Sequence, residues 1–535
     1  MPVTSRVRRV SAVVFYPMLA AVYPIVALYA VNLREMIPLQ ETVVPVLVAL
    51  LATGLVLTML RWVLRDWHRA AAMTTLLLIL FFTYGAAWDA VRGVIGGGHI
   101  TLGAIWAIIA TLGFVAVRRI RPDRVASATP LLNLVLGVLL VGNLAPVAGF
   151  HFDVRSDADG GAPSESPVGA TAASPDRVSD IYWIILDRYG SQQVIDEYYD
   201  HDISPFLDQL RERGFYIADR ATANYLKTAP SLVSARNMEY LDGERLRERA
   251  SADDDWGPLY RDLSSSFRLL EVLRPLGYRF VYLGTYWQFT ASHPEADVNY
   301  VFDGVRSEFA TVLTNSTMLR ASEVLGDDAA PDARRERWNL TRFQWDTLRD
   351  ATGVGSPKLV HAHFSLPHAP YVFRADGSFV PEDLERSRST EANYADQVEY
   401  ANAAVLEFVD ELLAVDPLNP PVIIIQSEEG PWPHRFRMSE TGFGWEAEAT
   451  DEELHEKFGV LSAFHLPGLP GDRSEEAGLY PSISLVNQFR VILNHYLGTT
   501  FELLPDRNFI WPRQDDIYEF IDVTERVRRM VDRRE

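Results

Sequence analysis

Three short stretches carry residue types whose spacing suits chemistry. IILDRYG places Asp187 and Arg188 directly after an apolar run, and IIIQSEEGPWPH places Glu428 and Glu429 directly after another. Between them NYLKTAPSLVSARN carries Lys227 and Thr228 at the head of a helical pattern. Adjacent acids just beyond a buried strand are costly without a cation. Asp187, Glu428 and Glu429 are therefore candidate oxygen ligands of one divalent ion, with Thr228 as a further ligand. A Thr hydroxyl is a poor nucleophile at neutral pH until a metal lowers its pKa. Thr228 is expected as a helix N-cap with Pro230 in the first turn, where the positive end of the helix dipole suits an anion such as phosphate. An all-oxygen site favours Mg²⁺, Mn²⁺ or Ca²⁺, and a His in place of one carboxylate would favour Mn²⁺ or Zn²⁺. Mn²⁺ or Mg²⁺ is the first expectation.

A fourth stretch, HFSLPHAPY, adds His361 and His363 on one strand, one of them expected to face the core, and His368 in a proline-flanked loop. His368 is the stronger candidate, contacting phosphoryl oxygens or protonating a leaving group. Arg188 or Lys227 would offset charge on non-bridging oxygens. Each residue also has a plain structural role open to it: Asp187 as a strand-end turn, Thr228 as a simple cap, Glu428 and Glu429 as a solvated pair. His434 and Trp432 are near enough in sequence to line the site. Trp287, Trp432 and Trp445 are more often packing than substrate platforms.

The elements that must position these residues are apolar strands alternating with helices. Strands are expected at 181–186, 214–219, 279–284, 358–364, 422–426 and 460–466, with amphipathic patterns between them. That order predicts an α/β domain with a largely parallel sheet covered by helices on both faces. In such sheets functional groups gather beyond the carboxyl ends of the strands, where Asp187 and Glu428 fall.

Residues 1–150 differ in kind. Five apolar stretches, near 11–31, 42–60, 70–91, 100–117 and 129–147, are candidate transmembrane helices. Residues 1–150 carry 12 Arg, no Lys and 5 acids, a net +7, so a chain at −21 leaves −28 to residues 151–535. Such an acidic remainder, with no basic patch, excludes a nucleic-acid partner. Arg6, Arg8, Arg9, then Arg61, Arg65, Arg69, then Arg118, Arg119, Arg121 and Arg124 crowd one side of the bundle, against Arg34 and Arg92 on the other. The bias places the N-terminus in the cytoplasm and the following domain outside, at a lipid bilayer. Asp89, in the third span, is either functional or paired with a neighbouring helix. Residues 151–179, rich in Ser, Ala, Gly, Pro and Asp, are expected to be a flexible linker. The α/β domain then spans 180–512, with a charged segment at 513–535.

On these residues the chain resembles the alkaline phosphatase superfamily, in its sulfatase-like and lipoteichoic-acid-synthase-like membrane branch. A polytopic anchor precedes Asp187 at a first strand end. TAPSLVS follows, with Thr228 on the nucleophile position of C/S/T-x-P-S-x-x-S; then come Pro367, His368, Pro370 and Tyr371, and then Glu428, Glu429, Gly430 and Pro431. The pattern differs where Glu428–Glu429 replaces the usual Asp-His, where Leu232 replaces an Arg common in sulfatases, and where Arg188 follows the first acid. The resemblance implies phosphoryl or phosphoglycerol-type transfer through a phosphothreonine, on a lipid-linked or cell-envelope substrate. A sulfuric-ester hydrolase is disfavoured, because the formylglycine nucleophile is made from Cys or Ser and the chain has no Cys. A non-catalytic binding or scaffolding relative is the reading from a different class.

Overall fold

The computed structural model describes residues 13–33, 39–91, 98–159, 179–304, 308–325, 333–436, 449–469, 471–513 and 515–534. Trp445 lies outside them, as do Arg6, Arg8, Arg9, Arg34 and Arg92. The chain divides into two compact units, one of residues 1–162 with 306–332 and one of 163–305 with 333–535.

The first unit is helical: α1 (Tyr16–Val31), α2 (Val43–Leu64), α3 (Trp67–Val91), α4 (Gly98–Arg119) and α5 (Pro122–Asp159). Four stretches, Leu39–Leu64, Trp67–Val91, Gly98–Arg119 and Pro122–Gly149, are long and apolar enough to cross a membrane. At 16 residues, α1 is shorter. The expected linker start at 151 falls within α5, which continues to Asp159, while 160–178 lie outside the described residues. Residues 306–332, contiguous in sequence with the soluble part, cluster with this helical unit. There Phe309 packs edge-on against Tyr29 of α1, and Arg320 pairs with Asp89 of α3 at 3.0 Å. A paired residue was one of the two readings of Asp89.

The second unit is built on a seven-stranded sheet. In chain order its main elements are β1 (Ile181–Leu186), β2 (Tyr216–Ile217), α6 (Thr228–Asn237), β3 (Arg279–Leu283), β4 (Val298–Tyr300), α7 (Ala333–Asp350), β5 (Lys358–Phe364), α8 (Thr390–Val415), β6 (Val422–Gln426), α9 (Asp451–Phe458), β7 (Ser462–His465) and α10 (Leu485–Leu497). The sheet order is β2-β7-β6-β1-β5-β3-β4. β6, β1, β5, β3 and β4 run parallel, and β7 is antiparallel to both of its neighbours. All six residues of β1 and all seven of β5 are buried, as expected of central strands covered on both faces.

The two faces are chemically different. Tyr182, Ile184, Leu186, Val360, Ala362 and Phe364 join one apolar core with Trp345 of α7 and Phe408 of α8. Successive strand side chains alternate between faces. Trp183, His361, His363 and Gln426 therefore point the other way, where Trp183 meets Phe489 of α10 edge-on. Register completes the arrangement: Ile185 of β1 stands opposite His363 of β5 and Gln426 of β6. The carboxyl ends of three adjacent parallel strands thus finish at one level, with Asp187 central and Glu428 two residues past β6.

Candidate metal centre

Asp187, His363 and Glu428, all buried, bring one potential ligand atom each within 4.8 Å of one another. His363 Nε2 lies 3.1 Å from Glu428 Oε1, and the Thr228 hydroxyl donates to the same oxygen at 3.1 Å. Asp187 Oδ1, Glu428 Oε2 and His363 Nδ1 are buried without a hydrogen-bond partner among the described residues. Burial, and then the nearby Glu428 and Glu429 carboxylates, push the Asp187 carboxyl well above the usual carboxylate range. Burial also raises Glu428, but the facing His363 and the hydrogen bonds from His363 and Thr228 outweigh it and leave Glu428 below its ordinary value. Buried ligand atoms without partners, beside a carboxyl whose charged form is disfavoured by burial and neighbouring acids, suit a cation, so the residues present fit a divalent ion.

Thr228 is the first residue of α6; the cap position belongs to Lys227, whose extended backbone leads into the helix. This corrects the expected N-cap role. The Thr228 side chain is released from capping and its proton is directed at Glu428 instead. Thr228 is half-buried, so a reacting group can reach it. It still sits at the positive end of the helix, where the first N–H groups lack intrahelical acceptors.

Glu429 stands apart from the ligand group. Its Oε1 pairs with Arg188 Nε at 3.1 Å and its Oε2 with Lys457 Nζ at 3.0 Å. Both oxygens are turned to cations, and Glu429, expected as a further ligand, lies outside the Asp187–His363–Glu428 group. Lys457, on α9, was not anticipated from the sequence. It is fully buried, donates to the Gly430 carbonyl at 2.8 Å, and lies 4.5 Å from the centroid of the Trp432 ring. The approach of strand end and helix requires glycine: a Cβ on Gly430 would lie 2.5 Å from the Lys457 carbonyl oxygen. α9 is fixed at its start by a capping box between Thr450 and Glu453.

Arg188 adopts a left-handed backbone at φ 65°, a conformation that costs a non-glycine residue on the order of 1 kcal/mol. Tyr394 holds this turn, donating to the Arg188 carbonyl at 2.9 Å and accepting from Gly190 N–H at 3.1 Å. The guanidinium lies over Trp432, as does Lys227 Nζ, which also lies over Trp256. Trp432 is thus the shared wall of a cation cluster, whereas His434 is exposed and Trp287 packs against Tyr260 and Phe289.

His361 and His363, two apart on β5, share a face, and their depth along the strand separates a packed histidine from one in the ligand group. His361 lies deeper, stacked on Tyr282 and edge-on to Trp183. The alternation of His with apolar residues near the end of a buried strand was the available signal for His363. His368 Nδ1 is hydrogen-bonded to the Ala369 carbonyl. Since a carbonyl only accepts, Nδ1 carries the proton and Nε2 presents a lone pair. Burial, followed by Arg188 and Arg337, depresses the His368 pKa well below the ordinary imidazole value. A neutral ring with that tautomer can accept a proton at Nε2.

No family model matches the chain, and no curated protein matches it. Among solved structures it is similar to the C-terminal periplasmic domain of EcEptC from Escherichia coli in complex with Zn, at 13% identity over 66% of this chain and 94% of that one, with a TM-score of 0.39. It is also similar to the lipoteichoic acid synthase LtaP from Listeria monocytogenes, at 13% identity, 63% and 78% coverage and a TM-score of 0.39. A third similar structure is described as a protein in the alkaline phosphatase superfamily from Vibrio parahaemolyticus, at 11% identity, 63% and 74% coverage and a TM-score of 0.39.

Proposed function

We propose that the second unit is a metal-dependent phosphotransferase or phosphodiesterase that uses Thr228 as nucleophile. The observation that carries this is the Thr228 hydroxyl donating at 3.1 Å to Glu428, itself a member of the buried Asp187–His363–Glu428 group. Those three residues and Thr228 would hold the ion. With a histidine nitrogen beside carboxylate and hydroxyl oxygens, the donor set favours Mn²⁺ or Zn²⁺ over Mg²⁺ or Ca²⁺. A bound cation supplies positive charge that lowers the hydroxyl pKa and offsets charge on the transferring group.

In the first half-reaction the Thr228 oxygen attacks phosphorus and the bond from phosphorus to the leaving oxygen breaks. The Thr228 proton, already directed at Glu428 Oε1, passes to that carboxylate and from there to the departing oxygen. Arg188 and Lys227, gathered on Trp432, are placed to meet non-bridging oxygens. In the second half-reaction water or an acceptor hydroxyl attacks the phosphothreonine, and His368 Nε2 takes its proton. The arginine bias of the loops supports a cytoplasmic N-terminus and an extracytoplasmic catalytic unit, which in turn favours a lipid-linked or cell-envelope substrate.

The test is Thr228→Ala and Thr228→Ser in the full chain. Ala should abolish turnover of bis(p-nitrophenyl) phosphate while still retaining metal through Asp187, His363 and Glu428, and Ser should retain turnover. Undiminished turnover in Thr228→Ala would remove Thr228 from the chemistry.

A further inference from the structure

The sheet edge that gathers the metal group continues past it. Four adjacent parallel strands, β6, β1, β5 and β3, end on the same side. Glu428 follows the first, Asp187 the second, the His368 loop the third and Tyr286 the fourth. Arg337, on α7, ties the last two together. Its guanidinium carbon lies 3.4 Å from the centroid of the Tyr286 ring, and its Nη1 donates to the Ala369 carbonyl at 3.2 Å. That carbonyl also accepts from His368 Nδ1. The loop is itself anchored on α8, where the buried Gln397 amide donates to the Pro367 and His368 carbonyls at 3.1 and 3.3 Å.

Neighbouring cations have acids. On the same helix Arg334 pairs with Glu385 and Arg349 with Glu411, and beside the metal group Arg188 pairs with Glu429. Arg337 pairs with no carboxylate among the described residues, and its remaining N–H groups have no hydrogen-bond partner there. It is half-buried, so water offsets its charge only in part. One face is covered by an aromatic ring and one nitrogen is held by a carbonyl. The free donors are therefore pre-oriented, in the planar arrangement with which arginine recognises phosphate and carboxylate. Its field already reaches the site, because Arg188 and Arg337 both act on the His368 ring.

The position of His368 says which part of a substrate would meet this guanidinium. The attacking and leaving oxygens lie roughly in line across phosphorus. With Thr228 on one side, the leaving alcohol and the later acceptor share the other, where His368 takes the acceptor's proton. We propose that Arg337 binds a second anionic group, phosphate or carboxylate, carried by the alcohol that leaves or accepts the transferred group. The substrate is then doubly anionic, with the transferred phosphate at the metal group and the second charge beyond His368. This assignment rests on the reading of Thr228 and His368 given above.

The experiment measures binding rather than turnover, by isothermal titration of the metal-loaded Thr228→Ala full chain in detergent. The probes are propyl phosphate, 1,3-propanediol bisphosphate and 3-phosphonooxypropanoate, which share one chain length. At least one of the two doubly anionic probes should bind roughly tenfold more tightly than propyl phosphate, and the tighter of them gives the class of the second anion. Adding Arg337→Gln should erase that gain. Arg342→Gln, exposed on the same helix, should keep it, which separates a local contact from a general effect of charge. Arg337→Lys keeps the charge without the planar donors and should lose part of the gain; it decides the matter if Arg337→Gln binds none of the probes. No gain with either doubly anionic probe, a gain undiminished in Arg337→Gln or Arg337→Lys, or an equal loss in Arg342→Gln would overturn the proposal. Turnover by Thr228→Ala would instead remove the nucleophile assignment and leave the binding difference to be read as it stands.

Discussion

Replacing Lys457 by Met removes a buried cation while nearly conserving its volume. Glu429 would keep Arg188 at 3.1 Å but lose Lys457 at 3.0 Å, and the Gly430 carbonyl would lose its 2.8 Å donor. Removing one partner of a buried ion pair costs about 3–5 kcal/mol, because the other charge stays behind without compensation. With Arg188 retained, the lower end applies, about 3 kcal/mol. For a unit of about 350 residues that lowers the melting temperature by roughly 4 °C. The assay is thermal unfolding of the metal-stripped full chain in detergent, followed by tryptophan fluorescence. Glu429→Gln in the same background removes the stranded charge and should restore about half of the loss, a coupling expected of residues in contact. Lys457→Met melting within about 2 °C of the parent, or no restoration by Glu429→Gln, would refute the account of Glu429 as a counter-ion.

Other outcomes follow from the same geometry. His363→Gln should weaken metal binding by at least tenfold in equilibrium dialysis, and an affinity equal to the parent would exclude His363 as a ligand. Asp187 has a raised folded-state pKa, so its ionisation opposes folding at neutral pH and the penalty lifts as pH falls through that pKa toward the unfolded value near 3.8. The metal-stripped parent should therefore gain stability relative to Asp187→Asn over that interval, and parallel pH–stability profiles would contradict it. Because the His368 pKa is depressed, the ring stays a neutral acceptor from neutral pH down to below the ordinary value of about 6.5. An acid limb of kcat/KM at or above pH 6.5 that disappears in His368→Gln would rule out that assignment.

Much of the sheet was legible because its central strands are continuous apolar runs: 181–186, 358–364 and 422–426 were expected and appear with those bounds. β4 and the 509–510 and 521–522 pair escaped because two or three residues carry no periodicity. Asp187, Thr228 and Glu428 were legible from their places after apolar runs or before a helix. Lys457 was not, since DEELHEKF resembles a solvated helix and only the fit of its last turn against Gly430 buries it. The clustering of residues 306–332 with the first unit was hidden by contiguity, because nothing in their sequence separates them from the soluble residues on either side.

The central claim is that Thr228 carries the transferred group. Its most direct measurement is peptide mass analysis of metal-loaded protein quenched in acid during turnover of bis(p-nitrophenyl) phosphate. The account predicts a p-nitrophenyl phosphoryl adduct on the peptide containing Thr228, absent from Thr228→Ala and from protein stripped of metal. Sustained turnover with an adduct on another residue would contradict it.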